Sequence, residues 1–587
     1  MVLVPKEISS LTLEDQLLNR RLGAHEGLRV LFVYANTAGD PLVPVGIPQL
    51  YSLLKEGGHD ARLFDTTWWK SPFFAEDIGN KERAMRLVVK PTNPSEVGLG
   101  FHEGDVFDAF EREVATYQPD LIAISALEMT AKFGFALSDY VRKRGYIIPT
   151  IVGGEYATTS KDLVFEFDDD TRAVDMICVG EGELPFTRLL ESLSRRSPSS
   201  DEIRKIPGLW IRDNTSFGYS KPLWGRAIPL DDLPLGDINI FLDPKLGGDP
   251  KIAFKPMYGK WWKSFTVEKA RGCHFKCSFC AQDVYHEMYT QNKALRLDPN
   301  NPATKNQFRR DKSMKRFIAD ALSKKNDHGM EFTYIMDEDA IPPTGHGGVD
   351  RIREFTELYD LEVALPFWLE TRPETITTEV IDELSRHCLG ISVGVESGSP
   401  EIRSRVMRRG MKQEKISEAI RVLANRGIPH VSANMIVGTP YVKDGQVLGE
   451  TREQFFESVR LAKELREIYP VVVPTWNLFQ PYRGTSLRDD MVVAGLISRD
   501  HICGDYRTST GAVGLGDLMS REEQIGLYRA AALYTHFPES RWNEVRDAEM
   551  DDETFFGLVE EATGKYFKDQ SENSQTPPTR EWRASPT

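Results

Sequence analysis

Cysteine is scarce in this sequence, which has six cysteines among 587 residues. These are too few and too scattered for a disulfide framework in so long a chain, so we expect a reducing, cytoplasmic setting. Long apolar runs are absent as well. No stretch approaches the ~20 residues that a membrane-spanning helix needs. The first residues, MVLVPKE, do not combine a basic region with an apolar core, so no signal peptide is expected.

A surplus of basic charge is also lacking. The chain has 73 basic and 88 acidic residues, for a net charge of −15. General nucleic-acid-binding proteins carry a basic surplus or stripe, so we expect no nucleic-acid partner. The composition, 40% hydrophobic and 27% charged residues, is that of a globular protein. The length is enough for about two to four domains.

Half of the cysteines lie together, in the sequence RGCHFKCSFC at residues 271–280. Cys273, Cys277 and Cys280 have the spacing C-x3-C-x2-C. Cysteine thiolates are the usual ligands of iron–sulfur clusters, and three of them can hold three corners of a cube. No fourth cysteine is near, so one iron is expected to stay open. The alternative is a structural zinc site with His274 as fourth ligand, although zinc ligands usually come as two separated pairs.

This loop resembles that of the radical S-adenosylmethionine (SAM) enzymes. The resemblance implies a [4Fe–4S] cluster on the three cysteines, with the amino and carboxylate groups of SAM on the open iron. It also implies that the aromatic residue before the last cysteine, Phe279, packs near the adenine of SAM. An external electron donor such as flavodoxin or ferredoxin is implied as a partner.

Two runs of alternating strands and helices predict an α/β protein. In the first run, apolar segments such as 28–34, 120–125 and 148–152 alternate with helical segments, which is typical of a doubly wound, Rossmann-like parallel sheet. Ligands bind such sheets beyond the carboxyl ends of the strands. We place this domain at residues 1–200, followed by a proline-rich linker at 201–260.

Two of these strand ends carry distinctive residues. Ser125 and Leu127 follow one strand as S-x-L, and Gly153 and Gly154 follow the next. They resemble elements of cobalamin-binding domains, in which the serine contacts the nucleotide tail of the corrinoid and the glycines leave room for it. The third element of that fingerprint, D-x-H-x-x-G, is missing. Its absence matches the cobalamin-dependent radical SAM group, whose members usually lack that histidine.

Another residue must then cover the lower face of cobalamin. Trp68 follows a strand end and could place its indole there, and packing under a loop is the alternative interpretation. Glu181 lies in the sequence GEGE after a further strand and is another candidate contact. Its alternative role is to stabilise the N-terminus of the following helix.

The second run begins near residue 265 and predicts six strand–helix units. They fit the partial (β/α)6 radical SAM barrel, placed at residues 261–490, with the cysteine loop after the first strand. Active residues in barrels of this type come from the carboxyl ends of the strands. Residues 491–587 are expected to form a mostly helical extension with a disordered tail.

The resemblance implies SAM contacts at these strand ends. Glu338 offers a carboxylate to the SAM ammonium group. Arg372 could pair with the SAM carboxylate through two hydrogen bonds, or form a surface ion pair instead. Ser392 and Glu396 match the segment that meets the ribose and methionine, and Gly438 would let the backbone approach the adenine.

Together, the two cofactor signals resemble the cobalamin-dependent radical SAM enzymes. The resemblance implies a methyltransferase acting on an unactivated carbon, or occasionally phosphorus, of a small-molecule or natural-product intermediate. Methylation would proceed through a 5′-deoxyadenosyl radical and methylcobalamin. One alternative is a cobalamin-dependent radical SAM cyclase or rearrangement enzyme without net methyl transfer. The other is a zinc-stabilised binding protein.

Overall fold

The computed structural model describes most of the chain between residues 27 and 573. The described residues are 27–36, 39–70, 94–167, 173–195, 200–212, 228–257, 260–291, 309–343, 347–443, 446–504, 507 and 511–573. The start of the predicted first domain, before residue 27, lies outside them, as does the predicted disordered tail after residue 573. The predicted domain boundaries stay predictions.

A six-stranded sheet forms the first half of the molecule. Its strands are β1 (Arg29–Tyr34), β2 (Asp60–Asp65), β3 (Leu121–Ser125), β4 (Thr150–Gly153), β5 (Met176–Cys178) and β6 (Leu209–Ile211). They stand in the order β2-β1-β3-β4-β5-β6, and all are parallel except β6, which pairs antiparallel with β5. This order confirms the predicted doubly wound sheet.

Helices cover both faces of this sheet because successive strand residues point to opposite sides. In β1, Val30 and Phe32 belong to one buried apolar cluster, and Leu31 and Val33 belong to another. The helices of this half are α1 (Gly46–Glu56), α2 (Val106–Tyr117), α3 (Glu128–Arg142), α4 (Glu155–Ser160), α5 (Asp162–Phe167), α6 (Glu183–Leu193) and α7 (Ser200–Ile203).

A seven-stranded sheet forms the second half. Its strands, with two short pairs beside it, are β7 (Phe254–Met257), β8 (Lys260–Val267), β9 (Ala270–Arg271), β10 (Arg310–Asp311), β11 (Phe332–Ile335), β12 (Phe367–Thr371), β13 (Cys388–Glu396), β14 (His430–Val437), β15 (Pro440–Lys443), β16 (Gln446–Gly449) and β17 (Val472–Leu478). The sheet order is β17-β14-β13-β12-β11-β8-β7, and β7 is the antiparallel edge strand. The other six are parallel and correspond to the six predicted strands. The sheet curls into the predicted partial barrel.

The remaining helices surround the outside of the barrel and continue into the predicted helical extension, except the first of them, which packs against β2 and α1 of the first half. They are α8 (Asn239–Leu242), α9 (Gln282–Gln291), α10 (Met314–His328), α11 (Gly348–Leu358), α12 (Thr378–Asp382), α13 (Gln413–Arg426), α14 (Arg452–Ile468), α15 (Ser486–Val493), α16 (Arg521–His536), α17 (Trp542–Ala548) and α18 (Asp552–Asn573). Single 3-10 turns lie at Pro94–Val97, Leu230–Asp232, Pro244–Leu246, Pro250–Ala253, Pro373–Thr375, Gly516–Leu518 and Glu539–Arg541, and π-turns at Tyr359–Val363 and Ile402–Val406.

Strand β14 presents polar side chains to the inside of the barrel, because its alternation places Val431 and Ala433 outward. Val431 and Ala433 are buried in the core beneath the helices. Ser432 and Asn434 are half-buried and point to the opposite face. The Asn434 side-chain amide donates to Ser392 Oγ on the neighbouring strand at 3.2 Å. Polar groups at these positions are available for a ligand inside the barrel.

The stretch predicted as a linker, 201–260, contributes a strand to each sheet, namely β6 and β7. Its prolines remove backbone donors but leave the carbonyl groups free to accept. Two side chains of α1 bind carbonyls at and after one of these prolines: Gln49 Nε2 donates to Pro234 O at 2.8 Å, and Ser52 Oγ donates to Leu235 O at 2.6 Å. The stretch is therefore packed onto the first half by hydrogen bonds.

We predict that Gly398→Ala destabilises the barrel. A Cβ at this position would lie 2.4 Å from Glu457 O and from Ser458 Cα on α14, and overpacking of this kind costs about 1–3 kcal/mol. Gly410→Ala is the matched control, because nothing lies within 4 Å of its added Cβ. Thermal unfolding should show a lower midpoint for the first variant only. Equal midpoints for the two variants would contradict the prediction.

Candidate functional site

The cysteine loop lies between β9 and α9, after the first barrel strand. Gly272 opens it with a φ of +83°, a left-handed conformation that favours glycine. Cys277 is buried and Cys273 and Cys280 are half-buried. All three are free cysteines. The loop is fixed at its start, where the Gly272 N–H donates to Glu338 Oε2 at 3.2 Å.

The environment of the thiols suits an iron–sulfur cluster. Burial raises the pKa of Cys273 to about 11 and also raises the pKa of Cys280, so the thiolate forms need a compensating positive charge. Arg372 Nη1 donates to Cys277 Sγ at 3.1 Å, and its guanidinium lies 3.6 Å from the centre of the Phe275 ring. Among the described residues, no three His, Cys, Asp or Glu side chains are grouped to hold a single metal ion.

A chain of alternating charges runs from Arg372 to Glu396. Arg372 pairs with Glu374, whose carboxylate lies 3.9 Å from Arg409 Nη2, and Arg409 Nη1 binds Glu396 at 2.7 Å. Glu396 has a φ of +70°, an uncommon conformation for a residue with a side chain. The predicted pairing of Arg372 with SAM stays a prediction, since in this structure Arg372 contacts Cys277, Phe275 and Glu374.

The other predicted SAM residues surround the same end of the barrel. The Glu338 carboxylate also accepts from Gln282 Nε2 at 2.9 Å, which ties it to the helix after the cysteine loop. Ser392 lies inside the barrel on β13. Phe279 packs against an apolar cluster that includes Ile402 and Met407, so its ring covers one side of the loop.

Two buried polar residues near Gly438 were missed by sequence reasoning. The Gly438 N–H donates to Glu450 Oε2 at 2.5 Å, and burial raises the pKa of Glu450 to about 7. A Cβ on Gly438 would lie 1.9 Å from Nε2 of Gln524 on α16. Ser520 caps this helix by accepting from the Glu523 N–H, but no local pattern indicates that Gln524 meets the end of β14.

The predicted cobalamin residues meet at one edge of the first sheet. Ser125 and Gly153 are register partners on β3 and β4. Gly154 has a φ of +97°, and both Gly154 and Leu127 are exposed. The nearest atom to a Cβ built on Gly153 is Cys178 Cβ, at 3.9 Å. The turn is therefore open beside Gly153, where it leaves room for the tail of a corrinoid.

Trp68 is buried at 3% exposure and packs edge-on against Phe101, with ring centres 5.8 Å apart. Its Nε1 is buried without a hydrogen-bond partner among the described residues. The side chain therefore packs under a loop, as the alternative interpretation expected. The proposed contact with a cofactor stays a prediction.

Glu181 joins the two halves of the molecule. It pairs with Arg271, at 3.4 Å, and with Arg310. Glu183 pairs with the same Arg271 at 2.7 Å. The turn after β5 is therefore bound to the short β9–β10 ribbon that leads directly into the cysteine loop. Sequence reasoning found Glu181 but not its arginine partners, because they lie far apart in the chain.

A second ion-pair cluster between the halves lies at the turn after β3. Glu128, 3% exposed, accepts from the Cys503 N–H at 3.0 Å. It also lies 3.5 Å from Arg483 Nε and 3.6 Å from Arg488 Nη1. Since β4 stands between β3 and β5 in the sheet, the open Gly154 turn is flanked on both sides by turns that are bound to the second half.

Comparison with known proteins identifies the second half. Residues 267–452 match the family model of the Radical SAM superfamily. This part of the chain is therefore a radical SAM domain, and the predicted [4Fe–4S] cluster and SAM are confirmed as the cofactors of such domains. The alternative of a zinc-stabilised binding protein is not supported.

Among the described residues, none of the helices combines the length and apolar character needed to cross a bilayer.

The fold of most of the chain is similar to those of two solved SAM radical proteins. TsrM from Kitasatospora setae, a radical SAM methyltransferase solved with tryptophan substrate and a SAM analogue, is 17% identical with a TM-score of 0.55, covering 78% of this chain and 75% of that one. The cobalamin-dependent SAM radical enzyme OxsB, solved with aqua-cobalamin and SAM, is 14% identical with a TM-score of 0.55. The match covers 94% of this chain and 81% of OxsB.

Two curated relatives are methyltransferases by name. An uncharacterised methyltransferase of Pyrococcus horikoshii is 21% identical over 437 residues, which is 71% of this chain and 82% of the relative. The hopanoid C-3 methylase of Methylococcus capsulatus is 29% identical over 182 residues, 30% of each chain. These names agree with the predicted class of enzyme.

We predict that Arg372→Gln lowers the midpoint potential of the reconstituted cluster. The change removes a positive charge and an N–H···S bond from Cys277, and hydrogen bonds to the sulfurs help to set cluster potentials. Arg372→Lys, which keeps the charge, should shift the potential less. A redox titration followed by electron paramagnetic resonance, without SAM, measures both. An unchanged potential in Arg372→Gln would show that the contact does not persist around the cluster.

Proposed function

We propose that this chain is a cobalamin-dependent radical SAM methyltransferase. Its proposed target is an unactivated carbon, or a phosphorus, of a small-molecule or natural-product intermediate. The observation that carries the proposal is the open Gly153–Gly154 turn, flanked by two buried ion-pair clusters that bind the first sheet to the cysteine-loop half. The free state of all six cysteines suits the cytoplasmic setting that we also propose.

The chain supplies separate groups for each proposed cofactor. Cys273, Cys277 and Cys280 would hold the cluster. Ser125 would donate a hydrogen bond to the corrinoid tail, for which the glycine turn leaves room. When bound, the [4Fe–4S] cluster, SAM and cobalamin supply a carbon-centred radical and an activated methyl group.

The proposed SAM contacts lie at the carboxyl ends of barrel strands, where active residues of such barrels are found. Glu338 is held at the mouth of the cysteine loop by its bond to Gly272. Glu396 is fixed by Arg409. Gly438 is fixed by Glu450. Since each of these groups is already bound to a neighbour, little reordering is needed when SAM enters, which favours a defined orientation.

Gly154→Ala should weaken cobalamin binding. Its Cβ would lie 2.8 Å from Ala126 O, at a φ of +97°, so the turn must change its shape, and with it the space proposed for the corrinoid tail. Gly145→Ala is the matched control, because it has a φ of +94° with nothing within 4 Å. Cobalamin titration followed by absorbance should give at least a tenfold weaker affinity for the first variant only, roughly the effect of losing one good contact. Similar cobalamin affinities for the two variants would show that the glycine turn is not part of the cobalamin site.

Methyl transfer is tested with methyl-labelled SAM and any substrate that is turned over. We expect one S-adenosylhomocysteine and one 5′-deoxyadenosine for each labelled product, since the reaction consumes one SAM as methyl donor and one as radical source. The triple variant Cys273→Ala, Cys277→Ala, Cys280→Ala is the control and should form no 5′-deoxyadenosine. Turnover that yields 5′-deoxyadenosine with an unlabelled product would instead identify a cyclase or rearrangement enzyme.

A further inference from the structure

The C-terminal extension reaches the carboxyl end of barrel strand β14 through one side chain. Gln524, on helix α16, is fully buried. A Cβ built on Gly438, the residue directly after β14, would lie 1.9 Å from Gln524 Nε2 and 2.7 Å from Gln524 Cδ. Gly438 also has a φ of +79°. The missing Cβ of Gly438 therefore makes room for the amide of a residue that comes from the extension.

The same amide holds a short stretch of the extension, residues 511–515, which we call the extension segment. Gln524 Oε1 accepts from the Val513 N–H at 3.0 Å and from the Gly514 N–H at 2.7 Å. The oxygen of the amide thus binds the extension segment, while its nitrogen lies against the end of β14. One side chain therefore fixes the distance between the two.

Two further side chains hold the extension segment in place. Gln480, two residues after the end of β17, donates through Nε2 to Gly511 O at 2.8 Å. Arg521 Nε, on the first turn of α16, donates to Ala512 O at 2.9 Å. Since β17 pairs with β14 in the sheet, the extension segment is attached to the ends of two neighbouring barrel strands.

The backbone at the end of β14 is held from a second element as well. Glu450, which follows β16, is fully buried and accepts from the Gly438 N–H at 2.5 Å. The Glu450 N–H donates to Thr439 O at 2.9 Å. These bonds fix Gly438 within the barrel, whereas Gln524 connects it to the C-terminal extension.

Three polar atoms at these strand ends have no hydrogen-bond partner in the part of the chain that the structure describes. They are Gln524 Nε2, Thr439 Oγ1 and Gln480 Oε1, and all three side chains are more than nine-tenths buried. Thr439 and Gln480 each lie two residues beyond the register partners Val437 and Leu478. Buried polar groups are nearly always hydrogen-bonded. Their free donors and acceptor at adjacent strand ends therefore point to a ligand.

We propose that Gln524 is a positioning residue of the SAM site, which fixes Gly438 against the extension segment so that the C-terminal extension helps to bind the adenosyl part of SAM. The proposal rests on the proposed function, in which Gly438 lies beside the adenine. Because Gln524 acts at one end of the ligand, its loss should weaken the adenosyl contacts and spare the methionyl contacts near the cysteine loop. Loss of a residue needed only for folding would weaken both.

The test uses the full-length enzyme with a reconstituted cluster, kept free of oxygen. Gln524→Met keeps roughly the volume of the side chain and removes its amide. Thr535→Val is the matched control, because Thr535 is buried on the same helix and its hydroxyl donates to Ala531 O at 2.9 Å. Calorimetry should show SAM binding weakened about tenfold or more in Gln524→Met, which corresponds to about 1.4 kcal/mol. SAM binding by the control should stay within about twofold of wild type, or about 0.4 kcal/mol.

A second measurement titrates the two parts of SAM separately, by displacement of bound SAM. The affinity of Gln524→Met for 5′-deoxyadenosine should fall by about the same factor as its affinity for SAM, while its affinity for methionine stays at the wild-type value. An equal loss for both compounds would overturn the proposal, since it would show damage to the whole barrel. An unchanged SAM affinity would overturn it as well.

If Gln524→Met does not fold, Gln524→Glu takes its place. This variant keeps an oxygen that can accept from the extension segment and removes only the NH2 group that lies against Gly438, so the same selective loss of 5′-deoxyadenosine affinity is expected. Wild-type enzyme that binds no SAM would overturn the proposed function and this proposal together. Wild-type enzyme that binds SAM no better than the Gln524 variant would overturn this proposal alone.

Discussion

The arrangement of this molecule depends on the ion pairs that the half-buried Arg271 makes with Glu181 and Glu183. Arg271 lies two residues before the first cysteine of the loop, and the two glutamates lie at the carboxyl end of β5. One guanidinium therefore connects the loop proposed to hold the cluster to the sheet edge where a corrinoid would lie. Its five donors in a rigid fork can serve several carboxylates at once, which a lysine could not reproduce.

Such pairs add little to the free energy of unfolding, but they require the charged groups to lie in defined positions. Removing charges from water costs several kcal/mol per ion, and their attraction repays this only when the partners are well placed. A misplaced half would leave Glu183 and Glu128 buried and unpaired, which costs about 3–5 kcal/mol for a broken buried pair. The two clusters, one on each side of the glycine turn, therefore penalise other relative placements of the two halves. We regard this as the physical reason why charged residues are found at this contact.

The fold was largely predictable because its signals are local. Buried parallel strands appear as short apolar runs, and the capping box at Thr451 and Gln454 is present at the start of α14 with both hydrogen bonds made. The cysteine spacing and the glycines at the strand end are local as well. What could not be predicted are contacts between distant residues. Glu128 and Arg483 are 355 positions apart, and no pattern near either residue indicates the other.

The difference between local patterns and distant contacts also explains why Arg372 was predicted as a site residue whereas its contact with Cys277 was not. Its position after β12 follows from counting strands, and the polarity of that strand end is visible in the sequence. Which anion it meets depends on how the curled sheet brings β12 beside the cysteine loop, and there Cys277 Sγ lies 3.1 Å from its Nη1. The Glu374 carboxylate accepts from Nε and Nη2 on the other side of the fork. Three of the five N–H donors of Arg372 are therefore in use, and the SAM carboxylate would have to meet the donors that remain on Nη1 and Nη2 or replace one of these partners.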